Sequence, residues 1–135
     1  MITEPLTGPP ALPYDRVGVE AEVRVLVDRF YDLMDLDPAY GEIRRLHPES
    51  LDGSRDKFYW FLCGWLGGPQ HYTDRFGHPM LRARHMPYSI GILERDQWLL
   101  CMRTAMQEVK LEPAFAQQLE ASFFKTADWM RNRGL

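Results

Sequence analysis

Hydrophobic residues recur at helical spacing along most of the chain. Between residues 20 and 36 they fall at positions i, i+3, i+4, i+7 and i+11, which is the stripe of an amphipathic helix. This helix is expected to end at Asp37-Pro38, because the residue before a proline is pushed out of the α-helical region. The members of the stripe are Val23, Leu26, Val27, Phe30 and Met34.

A second long helix is predicted over residues 52–66. Asp52 or Ser54 would cap its start, because a short polar side chain can accept a hydrogen bond from the first free N–H groups. Gly67-Gly68-Pro69 would end it, since glycine accepts a positive φ and proline cannot continue the hydrogen-bond ladder. One face of this helix carries four large apolar side chains, Phe58, Phe61, Leu62 and Trp65.

The remaining chain also favours helices, and no alternation typical of a strand is found. Residues 67–91 form a long connection rich in glycine and proline, with one short helix expected at about 79–85. Long irregular segments inside compact domains are often functional. The other helices are predicted at 39–46, at 91–109 with Trp98, Met102, Ala105 and Val109 inward, and at 113–134 with Leu119, Phe123, Ala127 and Met130 inward.

These elements predict an all-α domain over residues 14–135, with four main helices packed in two crossed layers. Residues 1–13 contain four prolines and are interpreted as a separate, extended N-terminal extension. A chain of 135 residues fits one domain and is long enough to bury a core without disulfide bonds.

Composition narrows the functional classes. The net charge of −3 gives no reason to expect nucleic acid or an anionic membrane as a partner. No apolar run approaches the ~18 residues of a membrane span, and no secretory signal is present, so a cytoplasmic protein is expected. Cys63 and Cys101 are interpreted as reduced, buried thiols. The aromatic content of 13% fits either an ordinary helical core or the walls of a pocket for a large flat ligand.

His85 differs from the other three histidines in its surroundings. It lies at the end of the short helix predicted at 79–85, which Met86-Pro87 must terminate. Leu81 and Met86 supply apolar contacts, and arginines at positions 82 and 84 supply positive charge. A haem requires this combination, because its iron takes a neutral imidazole, its ring needs apolar walls, and its propionates need cations. An ordinary surface helix end is the alternative interpretation.

Three ordered motifs carry a resemblance to a known family. They are FYWFLCGWLGGP over residues 58–69, GHPMLRARH over residues 77–85 and ERDQWLLCM over residues 94–102. Together they resemble a group II truncated haemoglobin over about residues 14–130. One departure is that the glycine pair usual near the N-terminus of the family is Gly18-Val19 here.

The resemblance implies a truncated two-over-two globin fold in which helices sandwich haem b. By position, His85 matches the proximal iron ligand, and Tyr31, His47 and Trp98 match residues on the opposite, distal side. These three would donate hydrogen bonds to bound O₂, and His47 could also bind the iron as a sixth ligand when no gas is present. Ser54 and Phe58 would face the same ligand, and the propionates would meet Lys57, Tyr72 and Arg84.

Three functions follow as hypotheses. The first is reversible binding of O₂, CO, NO or a similar diatomic ligand for storage, sensing or transport. The second is a haem enzyme acting on peroxide, NO or reactive nitrogen species with an external reductase, since charge develops on the distal oxygen during O–O cleavage. The third is a helical interaction module without haem.

Overall fold

The computed structural model describes residues 12–134, and within them the secondary structure is helical, with no strand. Most of the proposed N-terminal extension, residues 1–11, lies outside the described residues. The helices are α1 (Pro13–Val17), α2 (Val19–Leu36), a 3₁₀ turn (Pro38–Tyr40), α3 (Gly41–Arg45), α4 (Asp52–Trp65), α5 (His71–Phe76), α6 (Leu81–His85), α7 (Ile92–Glu108) and α8 (Pro113–Trp129).

The four long helices predicted from the sequence, α2, α4, α7 and α8, form the body of the molecule. Helix α2 packs against α4, α7 packs against α8, and α2 also packs against α7 and so joins the two pairs. The predicted stripe of α2 is the centre of the core, because each of its five residues is at most 1% exposed. The hydrophobic pattern therefore predicted both the fold class and the buried face of its central helix.

Two helix ends differ from the prediction. Neither Asp52 nor Ser54 caps α4: Leu51 is the N-cap residue, no side chain caps it, and Asp52 is already the first helical residue. A carboxylate in the first turn still interacts favourably with the helix dipole. Helix α8 ends at Trp129 instead of Gly134, because the backbone N–H groups of Asn132 and Arg133 donate to the Ile90 carbonyl instead of continuing the helix.

The connection at residues 67–91 holds two short helices where one was predicted. Helix α5 was missed because its six residues carry too few apolar positions to set a period. Helix α6 begins at Leu81, after Met80 with a positive φ of 49°. Neither helix contains a buried residue. The turn before them is closed by Gly68, where a Cβ would lie 2.5 Å from the Tyr14 ring.

Cys63 and Cys101 are fully buried and unbridged, as predicted. Burial raises the pKa of the Cys63 thiol to about 11 and that of the Cys101 thiol to about 12. Both thiols therefore stay protonated at neutral pH, and the Cys101 Sγ donates to the Phe30 carbonyl over 3.3 Å. Between residues 12 and 134, no helix combines the length and apolar character that a membrane span requires.

Candidate cofactor site

A cavity of about 560 Å³ is lined by residues from helices α2 to α8. Its volume is within the range of ~300–1,000 Å³ typical of pockets for organic ligands. Ten of the eleven residues predicted for the site line it: Tyr31, His47, Ser54, Lys57, Phe58, Tyr72, Leu81, Arg84, His85 and Trp98.

The His85 imidazole is oriented by its own helix. Its Nδ1 lies 2.6 Å from the Leu81 carbonyl oxygen, one helical turn earlier. A carbonyl only accepts, so Nδ1 carries the proton, and Nε2 of the neutral ring keeps its lone pair. Metal-binding histidines are usually oriented in this way, because a hydrogen bond from one ring nitrogen fixes the tautomer and the direction of the other.

Two residues near His85 do not have the predicted positions. Met86, expected to contact the cofactor, is 51% exposed and does not line the cavity. It is the C-cap residue of α6, where the chain turns away. Arg82 is also outside the cavity, because its guanidinium donates to the Trp129 and Arg131 carbonyls. We therefore omit Met86 from the proposed cofactor contacts and leave Arg84 as the cation of this helix.

The hydroxyl of Tyr31 and the indole N–H of Trp98 are donors on the cavity wall. Tyr31 is 5% exposed, and among the hydrogen bonds of residues 12–134 neither donor has a partner. Burial raises the pKa of the Tyr31 hydroxyl well above its ordinary value, so this group keeps its proton. Both donors are therefore available to a ligand in the cavity.

Aromatic packing holds these two donors in place. The Phe30 ring is completely buried, and its centroid lies 5.0 Å from that of Tyr31 and 5.2 Å from that of Trp98. Phe58 closes the group at 5.5 Å from Phe30. Edge-on aromatic pairs at these separations contribute beyond the area they bury. The donors therefore project from a packed cluster and not from a loop.

His47 lines the cavity, and a hydrogen bond to the preceding helix orients its ring. Its Nδ1 lies 2.8 Å from the Ile43 carbonyl oxygen, so this nitrogen carries the proton. Burial, with a smaller effect from the nearby charge of Arg44, lowers the pKa of the imidazole, which keeps the ring neutral at neutral pH. With the proton on Nδ1, the neutral ring presents Nε2 as a hydrogen-bond acceptor or metal ligand, which differs from the donor role expected from the sequence.

Three cations line the cavity, of which Arg95 is paired with Asp96 and Asp128, while two lie exposed at its edge. Lys57 and Arg84 line the cavity and are exposed to solvent. The Arg84 guanidinium lies 5.8 Å from the centroid of the Tyr72 ring, and its Nε donates to the Pro79 carbonyl over 2.8 Å. Lysine and arginine at the rim match the two carboxylates of a porphyrin, so the charge of this edge fits the group that the resemblance implies.

An ion-pair network ties α4 to α2 behind the distal side chains. Arg55, with a side chain 19% exposed, donates to Asp28 over 3.1 Å and to Asp32 over 2.7 Å. Arg24 donates to Asp56 over 2.9 Å. The Arg55 guanidinium also lies 5.9 Å from the centroid of the Tyr31 ring. The network fixes the separation of the two helices that carry Tyr31 and Phe58.

Several apolar walls of the cavity were not predicted from the sequence. Phe61 and Trp65 had been placed on the apolar face of α4, and Phe123, Ala127 and Met130 on that of α8, but as core. The structure shows that these faces turn to the cavity where the helices separate. Trp65 and Phe123 both line the cavity, and their rings stack with centroids 4.7 Å apart. Helical periodicity identifies an inward face but does not distinguish a core from a pocket.

Comparison with known proteins gives three consistent results. The family model described as bacterial-like globin matches residues 13–132. A group 2 truncated haemoglobin of Bacillus subtilis is 39% identical over 121 residues, covering 90% of this chain and 89% of that protein. The group II 2-on-2 haemoglobin of Agrobacterium tumefaciens is 43% identical with a TM-score of 0.88, covering 93% of this chain and 98% of that structure.

The chain belongs to the bacterial-like globin family. A further solved structure supports this, since a cold-adapted truncated haemoglobin from Pseudoalteromonas haloplanktis has a TM-score of 0.88 at 40% identity, covering 91% of this chain and 99% of that one. The two-over-two globin fold expected from the sequence is thereby confirmed. Haem binding follows from membership of the globin family. The site of this globin fits a haem, because it offers the free Nε2 of His85, apolar walls and a cationic rim.

Proposed function

We propose that this globin holds haem b through Nε2 of His85 and binds O₂ or a similar diatomic ligand on the side of Tyr31 and Trp98. The orientation of His85 is the observation that supports the assignment most directly. Its Nδ1–H is committed to the Leu81 carbonyl, which leaves Nε2 as the free nitrogen of a residue that lines the cavity. The bound haem would supply an iron with an open coordination position for the gas.

Ligand retention would come from Tyr31 and Trp98. Both are donors without a partner among the described residues, and both are fixed by the Phe30 and Phe58 rings. A net hydrogen bond contributes ~1 kcal/mol, so two of them would slow release of a polar ligand by roughly one to two decades. A relative with 39% identity, from Bacillus subtilis, is described as an oxygen-avid haemoglobin. This description supports O₂ as the ligand of the present chain.

His47 is assigned a different part in the proposal. Its free Nε2 would accept a hydrogen bond from a neighbouring donor or bind the iron when no gas is present. The second role agrees with the lowered pKa of the ring, because only a neutral imidazole binds metal. The optical and resonance Raman spectra of the ferric protein distinguish these roles, since a histidine sixth ligand gives low-spin iron. An external reductase remains a prediction from the sequence.

The replacement of His85 by glycine tests the proposal. Without added imidazole, His85→Gly is expected to lose haem at least ~100-fold faster than the wild-type protein and to lose the iron–imidazole signature of the ferrous form. Added free imidazole is expected to restore that signature. His71→Gly is the matched control, because His71 is also half-buried but does not line the cavity. Unchanged haem retention and an unchanged axial signature in His85→Gly would refute the assignment.

A further inference from the structure

The last described residues of the chain bind the loop that follows His85. After α8 ends at Trp129, residues 129–133 run alongside residues 85–90, and we call this tail the C-terminal clasp. The Asn132 Nδ2 donates to the His85 carbonyl over 3.2 Å and to the Tyr88 carbonyl over 2.7 Å. Its Oδ1 accepts from the Ile90 N–H over 2.9 Å.

Every polar atom of the Asn132 side-chain amide has a hydrogen-bond partner. Both N–H bonds of Nδ2 and the carbonyl oxygen have partners, and the backbone N–H of the same residue donates to the Ile90 carbonyl over 2.8 Å. The partners also distinguish Nδ2 from Oδ1, because two partners are carbonyls, which must face the nitrogen, and the third is an N–H, which must face the oxygen. One side chain therefore holds three points of the loop, including the main chain of His85 itself.

A second contact of the clasp reaches α6 directly. Arg82 lies three residues before His85, and its guanidinium donates to the Trp129 carbonyl and, over 3.0 Å, to the Arg131 carbonyl. The Trp129 carbonyl belongs to the free C-terminal end of α8, where a cation is favourable, and Arg131 lies just beyond that end. Arg82 and Asn132 thus join α6 and its following loop to α8 from two sides.

These polar contacts matter because other parts of the chain cover little of α5 and α6. Neither α5 nor α6 contains a buried residue. A five-residue helix has little stability of its own, since helix formation is limited by nucleation. The hydrogen bonds of the clasp are therefore a principal restraint on where the His85 backbone lies.

We propose that Asn132 is a positioning residue for His85, and that it sets the strength of the proximal iron–imidazole bond by holding the main chain around that histidine. The inference rests on the proposed role of His85 as iron ligand. It adds a determinant that does not contact the cofactor: Asn132 is absent from the cavity wall. Its effect passes through the backbone of residues 85–90.

The test uses the full chain with Asn132→Asp and Asn132→Ala, and with Arg133→Ala as control. The aspartate is nearly isosteric but places a carboxylate oxygen against the His85 and Tyr88 carbonyls, so it replaces two attractions by repulsion. Asn132→Ala only removes the contacts, and it takes the place of Asn132→Asp in the test if the aspartate variant does not fold. The Arg133 side chain is exposed and donates only to the Asn132 carbonyl over 2.9 Å, so its removal leaves the Asn132 amide intact.

Two readouts are taken on the haem-loaded protein. We expect haem loss from Asn132→Asp to be about 10- to 100-fold faster than from the wild-type protein, in line with the loss of two or more hydrogen bonds. We also expect the iron–histidine stretching band of the ferrous form to shift to lower frequency and broaden. A residue that served only general stability would lower the unfolding midpoint and leave that band unchanged, which would overturn the proposal.

A third readout needs no haem. In the cofactor-free protein, amide exchange at Ile90 is expected to accelerate at least ~10-fold in Asn132→Ala and to stay unchanged in Arg133→Ala. Unchanged Ile90 exchange and an unchanged iron–histidine band in both Asn132 variants would overturn the proposal. Failure of the proposed function gives a different result, because His85→Gly would then retain haem as firmly as the wild-type protein.

Discussion

The two sides of the cavity are built in different ways. The distal wall consists of α2 and α4, which carry Tyr31 and Phe58, together with Trp98 of α7, and α2 alone contributes six buried residues to the core. The proximal segment, residues 67–91, carries His85 on a helix with no buried residue. Side-chain packing fixes the distal wall, whereas hydrogen bonds to residues at and just after the end of α8 fix the proximal segment.

The difference separates two requirements of a ligand-binding site. Hydrogen-bond donors for a small ligand must be held at fixed positions, and rigid helices in a packed core provide this. The segment with the metal ligand must admit a large flat cofactor, and a segment held by few polar contacts can open locally at low free energy. The cofactor itself then adds stability to the proximal segment when it binds.

One phenylalanine-to-alanine substitution on each side of the cavity tests this comparison, and it is expected to give the largest difference in the free energy of unfolding. Phe30 is completely buried, so Phe30→Ala is expected to lower the free energy of unfolding by about 3–5 kcal/mol. Phe76, on α5, is 42% exposed, and Phe76→Ala is expected to lower it by less than about 1.5 kcal/mol. Urea denaturation of both cofactor-free variants measures the two values. Equal losses would show that the proximal segment is packed as firmly as the distal wall.

The same contrast explains which features could be predicted from the sequence. Helices α2, α4, α7 and α8 were predicted because each carries a stripe of apolar side chains that faces the core or the cavity, and that stripe is a pattern in the sequence. Helix α5 was not predicted because it has too few apolar positions, and the clasp was not because it depends on side-chain hydrogen bonds to main-chain carbonyls, such as those from Asn132 to His85 and Tyr88. No side-chain periodicity encodes such bonds.

At the site, the sequence predicted which residues meet but not the role of each atom. Ten predicted residues line one cavity, although they come from several separate helices. Met86 was misplaced because a residue at the end of a short helix turns with the chain. The role of His47 depends on the 2.8 Å separation between its Nδ1 and the Ile43 carbonyl, and only the folded backbone sets that distance.

Removal of the distal donors gives an effect of intermediate size. Tyr31→Phe and Trp98→Phe are each expected to speed O₂ release about 5- to 10-fold, because each deletes one hydrogen bond of ~1 kcal/mol. Stopped-flow measurement of O₂ dissociation from the ferrous protein gives the rates. Tyr59→Phe is the control, since this α4 hydroxyl donates to Glu20 over 3.0 Å and does not line the cavity. If neither distal variant changes the release rate, the distal wall does not retain the ligand.

The smallest expected effect concerns strain at the start of the distal wall. Helix α2 begins at Val19, which has a φ of 62°, and a β-branched residue in the left-handed region is unfavourable by roughly 1–2 kcal/mol. Val19→Gly relieves this strain but adds backbone freedom to the unfolded chain, so a net gain of about 0.5–1 kcal/mol in the free energy of unfolding is expected.

The neighbouring Gly18 supplies a matched control for that gain. Its φ is 119°, and a Cβ there would lie 2.5 Å from the Glu22 Cγ, so Gly18→Ala should destabilise the protein where Val19→Gly stabilises it. Urea denaturation measures both changes. Because the strain belongs to α2 and not to residues 67–91, Val19→Gly should leave the rate of haem loss unchanged. A change in that rate would mean that the two sides of the cavity are coupled more tightly than their separate contacts indicate.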